Sequence, residues 1–196
     1  MNIIFDLETD GLLPDVSKIH CLAMTIEGAQ ASQVFANEDQ YDNLEQTLEL
    51  MSDADILGYD LPVLKKLLGW VPNKETKISD TLVVSRLAYS HMMTLDVKKK
   101  HIPTKLYGSH SLKAWGYRLG MLKGEFNHED TDWSTFTHEM AEYCARDVAI
   151  TSTLFDHLCE AECSEEAVKL EHEFAYVIQR QIENGFSFDV KKGQEL

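Results

Sequence analysis

The chain alternates short apolar runs with polar turn residues, and the spacing of its apolar positions changes from strand-like to helix-like along its length. Residues 2–5, 19–26 and 31–36 are apolar, partly β-branched stretches set between Gly, Asp, Pro and Ser, and they predict three strands near the start. Over residues 41–51 the spacing becomes helical, with Leu44, Leu48 and Met51 on one face, and residues 54–57 then read as a short buried strand. Asp60-Leu61-Pro62 predicts a helix start, because Asp can cap the open amides and Pro is tolerated in the first turn. Val63, Leu64, Leu67 and Leu68 supply its apolar face, and Gly69 its stop. Ile78 closes a short extended segment. Ser79-Asp80-Thr81 opens a helix through Tyr89, which makes Asp80 a cap rather than a catalyst.

Residues 94–110 are rich in turn formers and carry Lys98, Lys99, Lys100 and Lys105, predicting a loop or flap with local positive charge. Such a run is either a solvated face or a contact for the phosphates of a strand. A helix resumes at 111–119, and 126–133 returns to loop. Over 136–159, Met140, Tyr143, Cys144, Asp147, Val148, Thr151 and Leu154 recur at three- and four-residue steps, the signature of one helix face. A second long helix runs from the Glu-rich turn near Ser164 to about Asn184, with Gly185 as its stop.

Composition supports a packed α/β domain. The chain has 196 residues, 44% of them apolar, with three Trp, seven Tyr and eight Phe. No apolar stretch is long enough to cross a bilayer, and the start MNIIFDLETDG lacks a basic region and a small-residue cleavage site, so no membrane contact and a cytoplasmic location are expected. Cys21, Cys144, Cys159 and Cys163 lack CxxC spacing and predict reduced thiols in or near the core. The formal charge of −15, taken alone, argues against a nucleic-acid partner. Phosphodiester hydrolysis with divalent cations is the exception, since clustered carboxylates gather cations that in turn present positive charge to the substrate.

Five positions qualify for that chemistry. Asp6 and Glu8 lie two apart at the end of the first strand, so their side chains point to the same side, where they suit a hard cation or simply face solvent. Asp147 interrupts an apolar helical stripe, where a carboxylate needs a partner or a metal. Tyr143, one turn earlier on the same face, is either a half-buried core residue or a phenol within reach of water near Asp147. Asp60 follows a buried strand and is explained by capping alone. The complete set, Asp6-x-Glu8, Tyr59-Asp60 and Tyr143-x-x-x-Asp147, is far more specific than any member.

That set resembles the three exonuclease motifs of the DEDD superfamily, in the variant with Tyr in the third motif. The segments FDLETDGLL, SDTLVVSRL, LYGSHSLKAWGYRLGMLKGEF, YCARDVAIT and EHEFAYVIQRQIENGFSFDV resemble the exonuclease portion of phage family A DNA polymerases over nearly the whole chain. The resemblance implies a ribonuclease-H-like mixed β-sheet flanked by α-helices, with a C-terminal helix leading toward a polymerase portion absent from this sequence. It divides the chain into an exonuclease domain, 1–162, and a connecting segment, 163–196. It implies that Asp6, Glu8 and Asp147 hold one Mg2+ or Mn2+ ion, that Asp6 shares a second, and that Asp60 completes the acidic set partly through water. Tyr143 would orient the attacking water, and Thr9 and Leu12 would support the terminal nucleotide, Leu12 by packing against a base. Two ions about 4 Å apart would activate water and stabilise the leaving 3′ oxygen, releasing nucleoside 5′-monophosphates without a covalent intermediate. The implied partners are the 3′ end of single-stranded DNA and the polymerase portion of the same full-length chain, in a monomer.

One motif departs from the family. The family usually has an Asn a few residues before the Tyr-Asp pair, whereas Ala54-Asp55-Ile56-Leu57 runs here directly into Gly58-Tyr59-Asp60. Either the loop is shortened or a segment is missing. A shorter loop could pull Asp60 from the metals, so an activity-reduced or non-catalytic domain that supports a polymerase is the alternative, and a free-standing RNA-trimming nuclease a further one.

Overall fold

The computed structural model describes residues 2–29, 33–36, 44–52, 54–57, 60–73, 75–121 and 132–194. The predictions for residues 30–32, 41–43 and 126–131, and for Gly58 and Tyr59, lie outside these. Five strands, β1 (Asn2–Thr9), β2 (Ile19–Ile26), β3 (Gln33–Ala36), β4 (Asp55–Leu57) and β5 (Ile78–Ser79), form one sheet in the order β3-β2-β1-β4-β5. β1 pairs antiparallel with β2 and parallel with β4, so the sheet is mixed and β1 is its centre. With helices on both faces this is the ribonuclease-H-like architecture.

Strand alternation divides β1 between two cores. Ile3, Phe5 and Leu7 pack with Leu22, Met24 and Ile56 beneath α1 (Leu44–Ser52) and α2 (Leu61–Leu68). Ile4 faces the other way, joining Cys21, Ala23 and Ala36 against Ala141, Cys144 and Val148. Those last three belong to the long helix that covers this face. Asp6 and Glu8 share the parity of Ile4 and therefore point to the same side. β1 is longer than the predicted strand at 2–5, and both acids lie within it.

Beyond the sheet, α3 (Thr81–Ala88), α4 (Met92–Lys99), a single-turn helix at Thr104–Leu106 and α5 (Leu112–Arg118) form a helical lobe. Its core is Met92, Trp115, Leu154 and Leu158, the last two from α6 (His138–Cys159). The helix α4 corrects the prediction of a loop or flap over 94–110. Met92 and Asp96 are buried on one face of α4 and Leu95 partly so, and Asp96 is paired with Arg118 at 2.7 Å. The lysine run hid this face, because an aspartate looks misplaced in it until its arginine is found. The lobe is followed by α7 (Glu165–Asn184), which packs on α3, and by α8 (Val190–Gln194). No helix among the described residues is long and apolar enough to cross a membrane.

Candidate active site

Asp6 and Glu8 lie on the α6 side of the sheet at the carboxyl end of β1, where the β1–β2 register slips between Glu8 and Thr9. Such bulges bend a strand and re-aim its side chains. Opposite them, α6 brings Tyr143, Cys144 and Asp147; Glu8, Tyr143 and Asp147 are each 6–7% exposed. The Cys144 thiol donates to the Asp6 carbonyl at 3.3 Å, which fixes α6 against β1 at this point. Ligand atoms of Asp6, Glu8 and Cys144 all lie within 4.8 Å of one another. Burial, the contact with Cys21 and the charges of Asp6 and Glu8 push the Cys144 thiol well up, so it stays neutral. The charged donors are thus carboxylate oxygens, a set that fits hard divalent cations. All four cysteines are free as expected, but only Cys21 and Cys144 are buried; Cys159 is exposed and Cys163 partly so, which corrects the placement of all four in or near the core.

Asp60 joins this group by a route the sequence did not suggest. It occupies the residue before α2, yet its side chain makes no capping hydrogen bond, which corrects the reading of Asp60 as a cap. The β1–β4 ladder ends at the pair Ile4 and Leu57, so β1 runs on past β4, and the Leu7 amide there favours the charged form of the Asp60 carboxylate. Burial, partly offset by that amide and reinforced by the negative charge of Asp80, raises the Asp60 carboxyl to about 6. Asp6, Asp60, Asp80 and Asp147 line one cavity of about 270 Å³, together with His110 and Thr151. A larger hollow of about 380 Å³, along α7 at Val177, Arg180 and Gln181, has no carboxylate in its lining.

Asp80 is the cap that its sequence context predicts, accepting from the Leu82 amide at 2.7 Å. Its own amide donates to His172 Nε2 at 2.8 Å. Its place in the cavity wall was missed, as was that of His110, whose Nδ1 lies 3.1 Å from the Ser85 hydroxyl. Burial and the charges of Arg118 and Arg86 hold His110 below its usual range. No local pattern marks either residue, since the wall forms only when α3 and the segment before α5 meet. Thr9 and Leu12 do not line the cavity. The Thr9 hydroxyl donates to the Gly11 carbonyl at 2.8 Å, and Leu12 is 83% exposed on the loop after β1.

No protein-family model matches the chain. The DNA-directed DNA polymerase of Escherichia phage T7 is 30% identical over 242 residues, which cover 99% of this chain and 34% of the polymerase. The chain is similar to a phage DNA polymerase. It spans about a third of that relative's length. Among solved structures, Brucella melitensis NrnC with bound Mg2+ superposes with a TM-score of 0.65 at 17% identity, covering 96% of this chain and 89% of NrnC. Escherichia coli RNase D, an exoribonuclease involved in structured RNA processing, gives 0.55 at 14% identity, covering 81% of this chain and 38% of RNase D. At these identities the structural likeness speaks for the fold.

Proposed function

We propose that this chain is the 3′→5′ exonuclease portion of a phage-type DNA polymerase, removing nucleoside 5′-monophosphates from the 3′ end of single-stranded DNA. The observation that carries the reading is the convergence of Asp6, Asp60 and Asp147 on one cavity, with Glu8 beside Asp6, in a chain similar to a phage polymerase along almost its full length. Asp6, Glu8 and Asp147 would hold one Mg2+ or Mn2+, Asp6 would share a second, and Asp60 would support the set. Bound there, the ions supply a water of lowered pKa and neutralise charge at the scissile phosphate. The protein's own part is positional. Tyr143, one helical turn from Asp147, orients the water; Thr9 sets the loop on which Leu12 projects, free to pack against the terminal base. NrnC, which shares the fold, binds Mg2+.

The location of Asp60 in the cavity supports an active site over an activity-reduced one, despite the short second motif. The segment 163–196 is read as the connection to a polymerase portion of the same full-length chain. Leu170, Phe174, Val177 and Ile182 form an exposed apolar stripe along α7 that suits burial against such a body. We place the whole in the host cytoplasm as a monomer.

The test is release of nucleotides from a 3′-labelled single-stranded DNA oligomer with Mg2+ or Mn2+ against a chelator control, with an RNA oligomer in parallel. Stepwise, metal-dependent release from DNA supports the reading. No release from folded protein overturns it, and a strong preference for RNA moves it to the trimming class.

A further inference from the structure

The charge of this chain is unevenly distributed. The stretch from Val97 to Met121 contains no Asp or Glu, yet it holds six of the 18 Lys and Arg of a chain with net charge −15. Lys98, Lys99, Lys100 and Lys105 are all exposed, and among the described residues none of them forms an ion pair. Lysines in the last turn of a helix complement its dipole, which accounts for Lys98 and Lys99 in part. It does not account for Lys100. That residue follows α4 in the left-handed region, φ 52° and ψ 35°, a position that favours glycine. Among the described residues it is the sole non-glycine with positive φ.

The basic turn is also fixed relative to the carboxylates. Asp96, one helical turn before Lys100, accepts the Gly108 amide at 2.9 Å and Arg118 Nη2 at 2.7 Å, while Arg118 Nη1 donates to the Ser109 carbonyl at 2.8 Å. Gly108 has φ 72°, and a Cβ there would lie 3.1 Å from Met93 Cε, so this crossing of α4 over residues 108–109 is close. Immediately afterwards, His110 and Ser111 enter the wall of the cavity that Asp6, Asp60 and Asp147 line. The end of α4 that carries the lysines is thus held against the segment that enters the cavity wall. Cations at the carboxylates serve only the terminal phosphate; an acidic protein still needs fixed positive charge for the phosphates that follow.

We propose that Lys98, Lys99, Lys100 and Lys105 form the phosphate track for single-stranded DNA upstream of its 3′ end. The proposal rests on the exonuclease reading for the direction of the strand, but its test can be separated from that reading. Binding of a fluorescein-labelled oligothymidylate to the full chain is followed by anisotropy in chelator, as a function of salt. For the combined variant Lys98→Ser, Lys99→Ser, Lys100→Gly, affinity should fall roughly tenfold near 0.1 M salt. The slope of log affinity against log salt should drop by about 2, at ~0.7 for each phosphate of a single strand that is no longer neutralised. Lys98→Arg with Lys99→Arg should keep both. Lys100→Gly alone should weaken binding about twofold while melting at the same or a higher temperature, because glycine adopts the left-handed region without strain.

Hydrolysis of thymidine 5′-p-nitrophenyl phosphate with Mn2+ provides the second arm, because this small ester does not reach the track. Equal hydrolysis by parent and combined variant, with oligomer binding weakened about tenfold, supports the track. Unchanged oligomer affinity and salt slope overturn it, and so does a parallel fall in melting temperature and small-ester hydrolysis. If the parent cleaves neither substrate, the exonuclease reading fails, and the anisotropy result alone then upholds or overturns the track.

Discussion

Asp96, buried in the helical lobe, and Asp60, half-buried at the end of the sheet, have carboxyls driven in opposite directions. Burial raises Asp96, but the Arg118 hydrogen bonds, the Gly108 amide and the charges of Arg118 and His101 outweigh it and leave Asp96 below its usual range. Burial also raises Asp60; the Leu7 amide offsets this only in part, Asp80 adds negative charge, and the value reaches about 6. The first carboxylate is completed by a cation of the same chain, 22 residues away. The second is gathered with Asp6, Asp80 and Asp147 around a cavity. The contrast separates a carboxylate paired within the fold from the carboxylates that we propose hold a ligand.

The contrast can be broken most forcefully at the sheet end. Asp6→Ala or Asp147→Ala should lower metal-dependent cleavage by roughly 10³-fold or more, with a nearly unchanged melting temperature, and the double variant should be little worse than either single one. Unchanged turnover in either variant would sink the site assignment. In the lobe the pattern should invert: Arg118→Ala leaves Asp96 buried without its cation and should destabilise the fold by about 3–5 kcal/mol in urea titrations. Adding Asp96→Leu should recover much of that loss, since two apolar groups then replace a broken pair. A loss below about 1 kcal/mol would mean that water already reaches Asp96.

Tyr143→Phe should slow turnover by about 10²-fold with oligomer binding retained, because it removes the phenol that orients water and keeps the ring. Failure to bind, with normal turnover of what does bind, would make Tyr143 a packing residue. The smallest effect concerns pH. The folded value for Asp60 lies above an unfolded value of about 3.9, so the folded chain binds the extra proton between about pH 4 and 6. Its contribution is fully present below that window and is lost as pH rises through about 6, on the order of 2 kcal/mol in chelator. Asp96, held low, contributes with the opposite sign: its stabilisation is present above about pH 4 and is lost on acidification. Asp60→Asn should therefore remove the decline between pH 4 and 6 and leave the acid limb in place. Identical pH profiles for the variant and the parent would contradict the assignment.

What could be read from the sequence was what depends on local period. Asp6 and Glu8 share a strand face because side chains alternate, and Tyr143 and Asp147 share a helix face because they lie one turn apart, so both halves of the candidate site could be read as faces before the fold brought them together. Asp60 was misread for the opposite reason. Asp-Leu-Pro has the local form of a helix cap, whereas the Asp60 side chain makes no capping hydrogen bond and lines the cavity instead. The helix α4 was hidden likewise: Asp96 spoils the apolar face until Arg118, on another helix, is placed beside it. The walls contributed by Asp80 and His110 depend on how α3 and the segment before α5 pack, which no period encodes.

The central claim is that Asp6, Glu8 and Asp147 assemble a divalent-cation site at the end of β1. The most direct measurement is an anomalous difference map at the manganese edge from crystals of the full chain soaked in Mn2+, with Asp147→Ala crystals alongside. The account predicts density within coordination distance of Asp6, Glu8 and Asp147 in the parent and its loss in the variant. Saturating Mn2+ with no density there, or density that persists in the variant, would contradict it.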